Sequence, residues 1–187
     1  MKFLLIGLGN PGADYVQTRH NIGFMALDAL AKDGGVAFKA DRLGDVARMK
    51  HRGRQLILVK PSTFMNLSGK SVRHWLDAEK LSADRMLIVT DDINLPFGTL
   101  RLRAKGNDGG HNGLKDIQAV LGNSAYPRLR FGVGADFGQG RQVDHVLGSF
   151  SPDEEKALAE RLGKVVDLVK SFAFIGLQRT MNQFNNT

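Results

Sequence analysis

Phe3-Leu4-Leu5-Ile6-Gly7-Leu8-Gly9-Asn10-Pro11-Gly12, leading on to Thr18-Arg19-His20-Asn21, is a short apolar run that empties into a polar, glycine-rich loop. The apolar run has the length of one buried strand, and the amphipathic run that begins near Asn21 has helical spacing. Strand, loop and helix in that order start an α/β sheet, where ligands bind beyond the carboxyl ends of the strands. The loop from Gly9 to Asn21 is therefore the first place to expect chemistry.

Outward from that loop the pattern repeats. Residues 2–8 read as strand and 21–31 as helix, with Ile22, Met25, Leu27 and Leu30 inward and Asp33-Gly34-Gly35 as the stop. Residues 43–50 and 55–60 alternate about a four-residue connection containing Gly53, which predicts a hairpin. A helix is expected over 70–79, strands over 85–90 and 99–103, a glycine-rich loop over 105–110, a helix over 112–121 and a strand over 128–134. Residues 135–143 read as a mobile polar segment. Ser151-Pro152-Asp153-Glu154 is a helix start with a capping box, and that helix should run to about residue 169 before a turn-rich end. These elements describe a single domain of the α/β class over residues 1–187, with a twisted, mixed, mostly parallel sheet flanked by helices.

Composition narrows the function. The 187 residues are 42% hydrophobic and 24% charged, enough for one well-buried core. No apolar run approaches the roughly 18 residues that span a bilayer, and no basic-then-apolar leader opens the chain, so the expected compartment is the cytoplasm. With no cysteine there is no disulfide framework, thiolate nucleophile or sulfur-based zinc site. A net charge of +7 favours a polyanionic partner such as nucleic acid. Seven Lys or Arg face two Asp between positions 39 and 60, and seven face four acids between 98 and 145. The first group reads as the solvated surface of the hairpin, not as an RNA contact.

Gly7, Gly9 and Gly12 spell G-x-G-x-x-G after a strand, the dinucleotide fingerprint. That fingerprint needs a helix directly after the loop and an acidic residue at the end of the next strand. Pro11 and eight further residues intervene before any helix, and the acidic candidate Asp28 lies within it, so no cofactor is expected. The polar residues at the strand ends suggest different chemistry: Asn10 and His20, Asn66, Asp91, then His111 and Asn112. An imidazole can take a proton from water, a carboxylate on its other nitrogen fixes the tautomer, and carboxamides stabilise an oxyanion or hold a peptide backbone. Asp91 and Asp92 both qualify as the carboxylate, since adjacent strand residues face opposite sides.

The stretches Gly7–Gly12 with Thr18–Asn21, Lys60-Pro61-Ser62-Thr63-Phe64-Met65-Asn66-Leu67-Ser68-Gly69, and Gly109-Gly110-His111-Asn112-Gly113-Leu114-Lys115-Asp116 resemble, in order and spacing, the bacterial peptidyl-tRNA hydrolase family. The resemblance covers essentially the whole chain. It implies a monomeric, cytoplasmic esterase without cofactor or metal that cleaves the bond between a peptide and the ribose of tRNA. It implies His20 as catalytic base, Asp91 as its support and Asn10 as the amide that positions the water or scissile group. Asn66 and Asn112 would hold the peptide backbone and the reacting carbonyl, Gly109 and Gly110 would let substrate approach, and His111 would shape the groove; Met65 reads as packing, with a place on the groove beside Asn66 as the alternative. Tyr15 would meet the terminal ribose or adenine. Arg103, Lys105, Arg130 and Arg141 would contact tRNA at the acceptor end and 5′ phosphate. The chain departs from the family pattern at Asn94, at Asn107-Asp108 and at Ala135-Asp136, all beside the implied tRNA path. A non-catalytic RNA-binding protein of the same fold, like the intron-splicing factors, is the alternative.

Overall fold

A computed structural model describes residues 1–187. In chain order the elements are β1 (Lys2–Gly7), α1 (Ile22–Asp33), β2 (Lys39–Asp41), β3 (Gly44–His51), β4 (Arg54–Pro61), α2 (Ser68–Glu79), β5 (Met86–Asp92), β6 (Leu100–Arg103), α3 (Asn112–Leu121), β7 (Arg128–Gly132), α4 (Gln142–Val146), α5 (Pro152–Ile175) and α6 (Leu177–Phe184). Seven strands form one sheet in the order β2-β3-β4-β1-β5-β7-β6. The four central strands, β4, β1, β5 and β7, run parallel. The antiparallel pairings lie toward the edges, where β2 and β3 extend one side and β6 the other.

The strand order places the site. The chain leaves β1 for one side of the sheet and builds β2 to β4 there, then crosses to β5 on the other side of β1. That reversal opens a crevice beyond the carboxyl ends of β1 and β5, the position where open α/β sheets bind ligands.

Alternation along the strands divides the interior into two layers. Phe3 and Leu5 face a core built with α1 and α5, while Leu4, Ile6 and Leu8 face a second core built with α2 and α3. Because both faces are covered, the central strands are apolar in continuous runs and not in alternation. α1 sits on β1 with almost no gap. A Cβ on Gly7 would lie 2.1 Å from the Gly23 carbonyl oxygen, and one on Gly23 only 2.4 Å from the Leu8 nitrogen. These two glycines let backbone meet backbone, which brings the turn before α1 over the end of β1.

Several elements differ from the sequence expectation. The hairpin closes on two residues, Arg52 and Gly53, both with positive φ (46° and 79°), so His51 and Arg54 belong to the ladder. α5 runs to Ile175, because Val169, Phe172 and Ala173 keep its buried stripe going until Gly176 breaks it at φ +92°. The chain end is a helix, α6, which buries Thr180 and Phe184. Asn185 fixes it to the β6 edge, donating to the Leu102 carbonyl at 3.1 Å and accepting from its N–H at 2.6 Å. Residues 142–146 form α4, hidden in the sequence by the neighbouring glycines 138 and 140.

Candidate active site

His20 occupies a single 3-10 turn, Arg19–Asn21, held from both sides. On one side Asn21, fully buried, accepts from the Asn10 N–H at 2.8 Å and donates to the Asn10 carbonyl at 2.9 Å, so the loop is closed on itself. On the other, the Arg19 N–H donates to the Gly148 carbonyl at 3.0 Å. The Arg19 guanidinium bonds the His145 carbonyl at 3.0 Å and the Glu154 carboxylate at 3.2 Å. Glu154 is also the capping-box residue of α5, which ties the start of that helix to the His20 turn.

So held, His20 presents Nδ1 to the end of β5, where it lies 2.8 Å from Asp91 Oδ2. Asp91 is buried and bonds the imidazole; Asp92 also borders the cleft but bonds the Asn94 N–H and Arg130. The other oxygen of Asp91 lies 2.7 Å from His111 Nε2. His111 is the N-cap of α3, and its Nδ1 accepts from the N–H groups of Gly113 and Leu114. Accepting at Nδ1 forces the proton onto Nε2, so His111 donates to Asp91 as a neutral imidazole. The buried Thr90 hydroxyl lies 2.8 Å from the same Nε2. His20 likewise donates through Nδ1, which leaves its Nε2 lone pair without a protein partner and available to a proton.

Burial alone drives the Asp91 carboxyl upward. The electrostatic attraction of His111 and His20, together with their hydrogen bonds, outweighs it and holds Asp91 well below the usual carboxylate range. The carboxylate is therefore ionised throughout the neutral range and can stabilise an imidazolium on His20.

His20, Asp91 and His111 also place one potential metal-ligand atom each within 4.8 Å of one another. The donor chemistry does not suit a metal. With Nδ1 committed to backbone donors, His111 Nε2 carries a proton and has no lone pair to give.

A cleft of about 270 Å³ opens over this cluster, lined by His20, Asp91, Gly110, His111, Asn112 and Arg130 among others. It also receives Gly109 of the glycine loop and Gln142, Val143 and Val146 of α4. Asp108 shapes the loop by accepting the Gly110 N–H at 2.7 Å.

The remaining sequence-predicted residues lie elsewhere. Asn10 is buried, and its Oδ1 accepts the Met65 N–H at 2.7 Å, so that oxygen is occupied in joining two loops; its amide borders a separate hollow. Met65 is buried in the second core against Gly113, which makes it packing and not groove surface. Tyr15 stands edge-on to exposed Phe64, ring centres 6.5 Å apart, and Asn66 is exposed beside it in a 3-10 turn. Arg103 and Lys105 lie outside the cleft. Arg141 is exposed and paired with Asp144 at 2.6 Å, a surface pair of small energetic consequence.

Arg128 went unremarked in the sequence. It is fully buried with no carboxylate, and its guanidinium donates to the carbonyls of Tyr126, Ser124 and Gly106 while lying 4.0 Å from the Tyr126 ring. Arg130 donates to the Asn107 carbonyl at 2.5 Å. Two arginines of β7 thus hold the loop that borders the cleft. Their i, i+2 spacing on one strand face was the available signal.

A family model described as peptidyl-tRNA hydrolase matches residues 4–187. The chain is 54% identical over 185 residues to the peptidyl-tRNA hydrolase of Porphyromonas gingivalis, covering 99% of this chain and 100% of that protein. It is 43% identical over 185 residues to that of Chloroflexus aurantiacus, covering 98% of each. Its backbone superposes on the crystal structure of peptidyl-tRNA hydrolase from Acinetobacter baumannii with a TM-score of 0.89 at 36% identity, covering 98% of this chain and 94% of that one.

Proposed function

The chain belongs to the peptidyl-tRNA hydrolase family, and on that premise we propose that it cleaves the ester between a peptide and the terminal ribose of tRNA by water activated on His20. The observation that carries this reading is the His20–Asp91 bond of 2.8 Å at the wall of the cleft, with no protein partner on the opposite imidazole nitrogen. Water held at His20 Nε2 loses a proton as it attacks the ester carbonyl. Asp91 holds the tautomer and stabilises the imidazolium that forms, and the same imidazolium then returns the proton to the departing ribose oxygen.

The other roles follow from position. Asn112, at the cleft wall and the first residue of α3, offers its amide to the reacting carbonyl, and Gly109 and Gly110 admit the substrate backbone. The neutral His111 acts through Asp91, fixing the second carboxylate oxygen. Arg130, with Arg103 and Lys105 further along the same loop and edge strand, receives tRNA phosphate at the acceptor end. Tyr15 and Asn66 form a rim for the terminal nucleotide and the peptide, and Asn10 positions that rim through Met65. Arg141 meets tRNA only after exchanging its Asp144 partner. The reaction takes place without metal or cofactor, in the cytoplasm, and on a monomer; no helix of the chain is long and apolar enough to cross a membrane.

Hydrolysis of purified peptidyl-tRNA in water enriched in oxygen-18 tests the reading. One heavy oxygen is expected in the peptide carboxylate and none in the tRNA. Tight tRNA binding with no released peptide would instead identify a non-catalytic RNA-binding protein.

A further inference from the structure

Of the seven basic residues between positions 39 and 60, none lines the cleft. Arg48 and Lys60 are neutralised by Glu79 and Asp28. At the β3–β4 tip, Arg52 and Arg54 have no carboxylate partner. Their guanidinium carbons converge instead on the exposed ring of Phe174 in α5, 4.9 and 4.8 Å from its centre. Arg54 Nε is buried without a partner. A shallow hollow of about 400 Å³ beside them is lined by His51, Arg52, Phe174, Asp167 and Lys170, the last paired with Asp33.

Arg52 is the informative residue. It holds the first position of a two-residue turn at φ 46°, a place where Asn, Asp or Gly is favoured. Of the other left-handed residues, Asn186 is of a type that tolerates this region and Lys80 closes α2, while the carbonyl of Leu43, like that of Arg52, accepts a side-chain bond. The turn at Arg52 gains nothing from arginine that asparagine would not supply. What arginine adds is the guanidinium over Phe174, and strain kept at an exposed position points to function.

We propose that Arg52, Arg54 and Phe174 form a second RNA contact, which takes the phosphate backbone of the tRNA body while its 3′ end lies in the cleft. Arg52 keeps a guanidinium edge free for bidentate phosphate bonding, while Arg54, whose Nη1 donates to the Arg52 carbonyl at 3.1 Å, holds the turn and keeps Nη2 for a single bond. Two such groups at fixed spacing suit the regular phosphates of a folded RNA better than a fluid array of lipid headgroups. β4 is eight residues long, which at the strand rise puts the patch about 26 Å from the cleft end of the sheet. A short 3′ fragment does not bridge that span, whereas a whole tRNA does. The inference rests on the reading of peptidyl-tRNA as substrate.

The test uses the full chain and uncharged tRNA, with Arg52→Asn and the double variant Arg52→Asn/Arg54→Gln. Arg52→Asn should melt no lower than wild type, since asparagine suits the turn, yet bind tRNA about threefold more weakly. The double variant should bind about tenfold more weakly and lower the salt slope of binding by about two. Both should hydrolyse a peptidyl ester carried on a short 3′-terminal oligonucleotide at the wild-type rate. Unchanged tRNA affinity and salt slope in the double variant overturn the proposal, as does a defect seen only with anionic phospholipid vesicles. Wild-type protein that binds tRNA through this patch but releases no peptide would contradict the hydrolase reading and leave the contact standing.

Discussion

Asp91 is the residue on which the two imidazoles converge, and its charge is what makes the arrangement directional. Replacing it by asparagine presents an amide to two N–H donors, so one donor loses its acceptor in a buried place. The Asp91→Asn chain should turn over at least about a hundredfold more slowly, and be about 1–3 kcal/mol less stable at neutral pH. Because the folded carboxyl lies below its ordinary value, its stabilising contribution is complete above about pH 4 and is lost as pH falls toward the folded value. Denaturant titrations should therefore show the gap between wild type and variant narrowing below pH 4; a constant gap would contradict the assignment. At this scale the sequence indicated which side chains meet where residue type and position coincide, as for His20 and Asp91. It was not readable where orientation decides. Nothing in the sequence shows that His111 accepts backbone N–H groups at one nitrogen and so donates to Asp91 from the other. Asn10 illustrates the same gap: its amide oxygen is occupied by the Met65 N–H.

Between elements, the closest approach is that of α1 to β1. A Cβ at Gly23 would lie 2.4 Å from the Leu8 nitrogen and 2.6 Å from the Val89 carbonyl oxygen, both backbone atoms that cannot swing aside. Gly23→Ala should cost about 1–3 kcal/mol or more, and the displaced helix should carry the His20 turn with it. The expected outcome is a lower denaturation midpoint together with slower turnover; an unchanged midpoint would mean that the contact relaxes freely. The same glycines account for the misleading resemblance to a dinucleotide fingerprint. Gly7 serves a backbone contact and Gly9 makes room for the Phe24 ring, so neither is available to cradle a phosphate. Elements with strong local signals were legible, including the α5 start, where Ser151 and Glu154 close the capping box. α4 and α6 were not, because each is short and is stabilised by tertiary contacts: α4 against the His20 turn and α6 against β6.

For the whole molecule, the excess of positive charge and a mixed, mostly parallel sheet were apparent from the outset; the strand order, which opens the crevice at a sheet reversal, was not. Nor was the distribution of that charge. Of the arginines, Arg128 is interior and holds a loop, Arg48 is paired with Glu79, and Arg52 and Arg54 gather on a distant aromatic ring. On the proposed reading tRNA is held largely through phosphates, so affinity should fall by a power of the salt concentration, by roughly one power for each phosphate neutralised. Fluorescence anisotropy between low and moderate salt reads that slope, and a flat response would contradict phosphate contact.

The central claim, that His20 takes the proton from the attacking water, is tested most directly by single-turnover hydrolysis of a defined peptidyl-tRNA by the wild-type and His20→Ala chains, with tRNA affinity measured on both. Loss of the base should slow the chemical step by about 10²–10⁴ while leaving affinity unchanged. A His20→Ala chain that hydrolyses at the wild-type rate, or that loses affinity while keeping its rate, would contradict it.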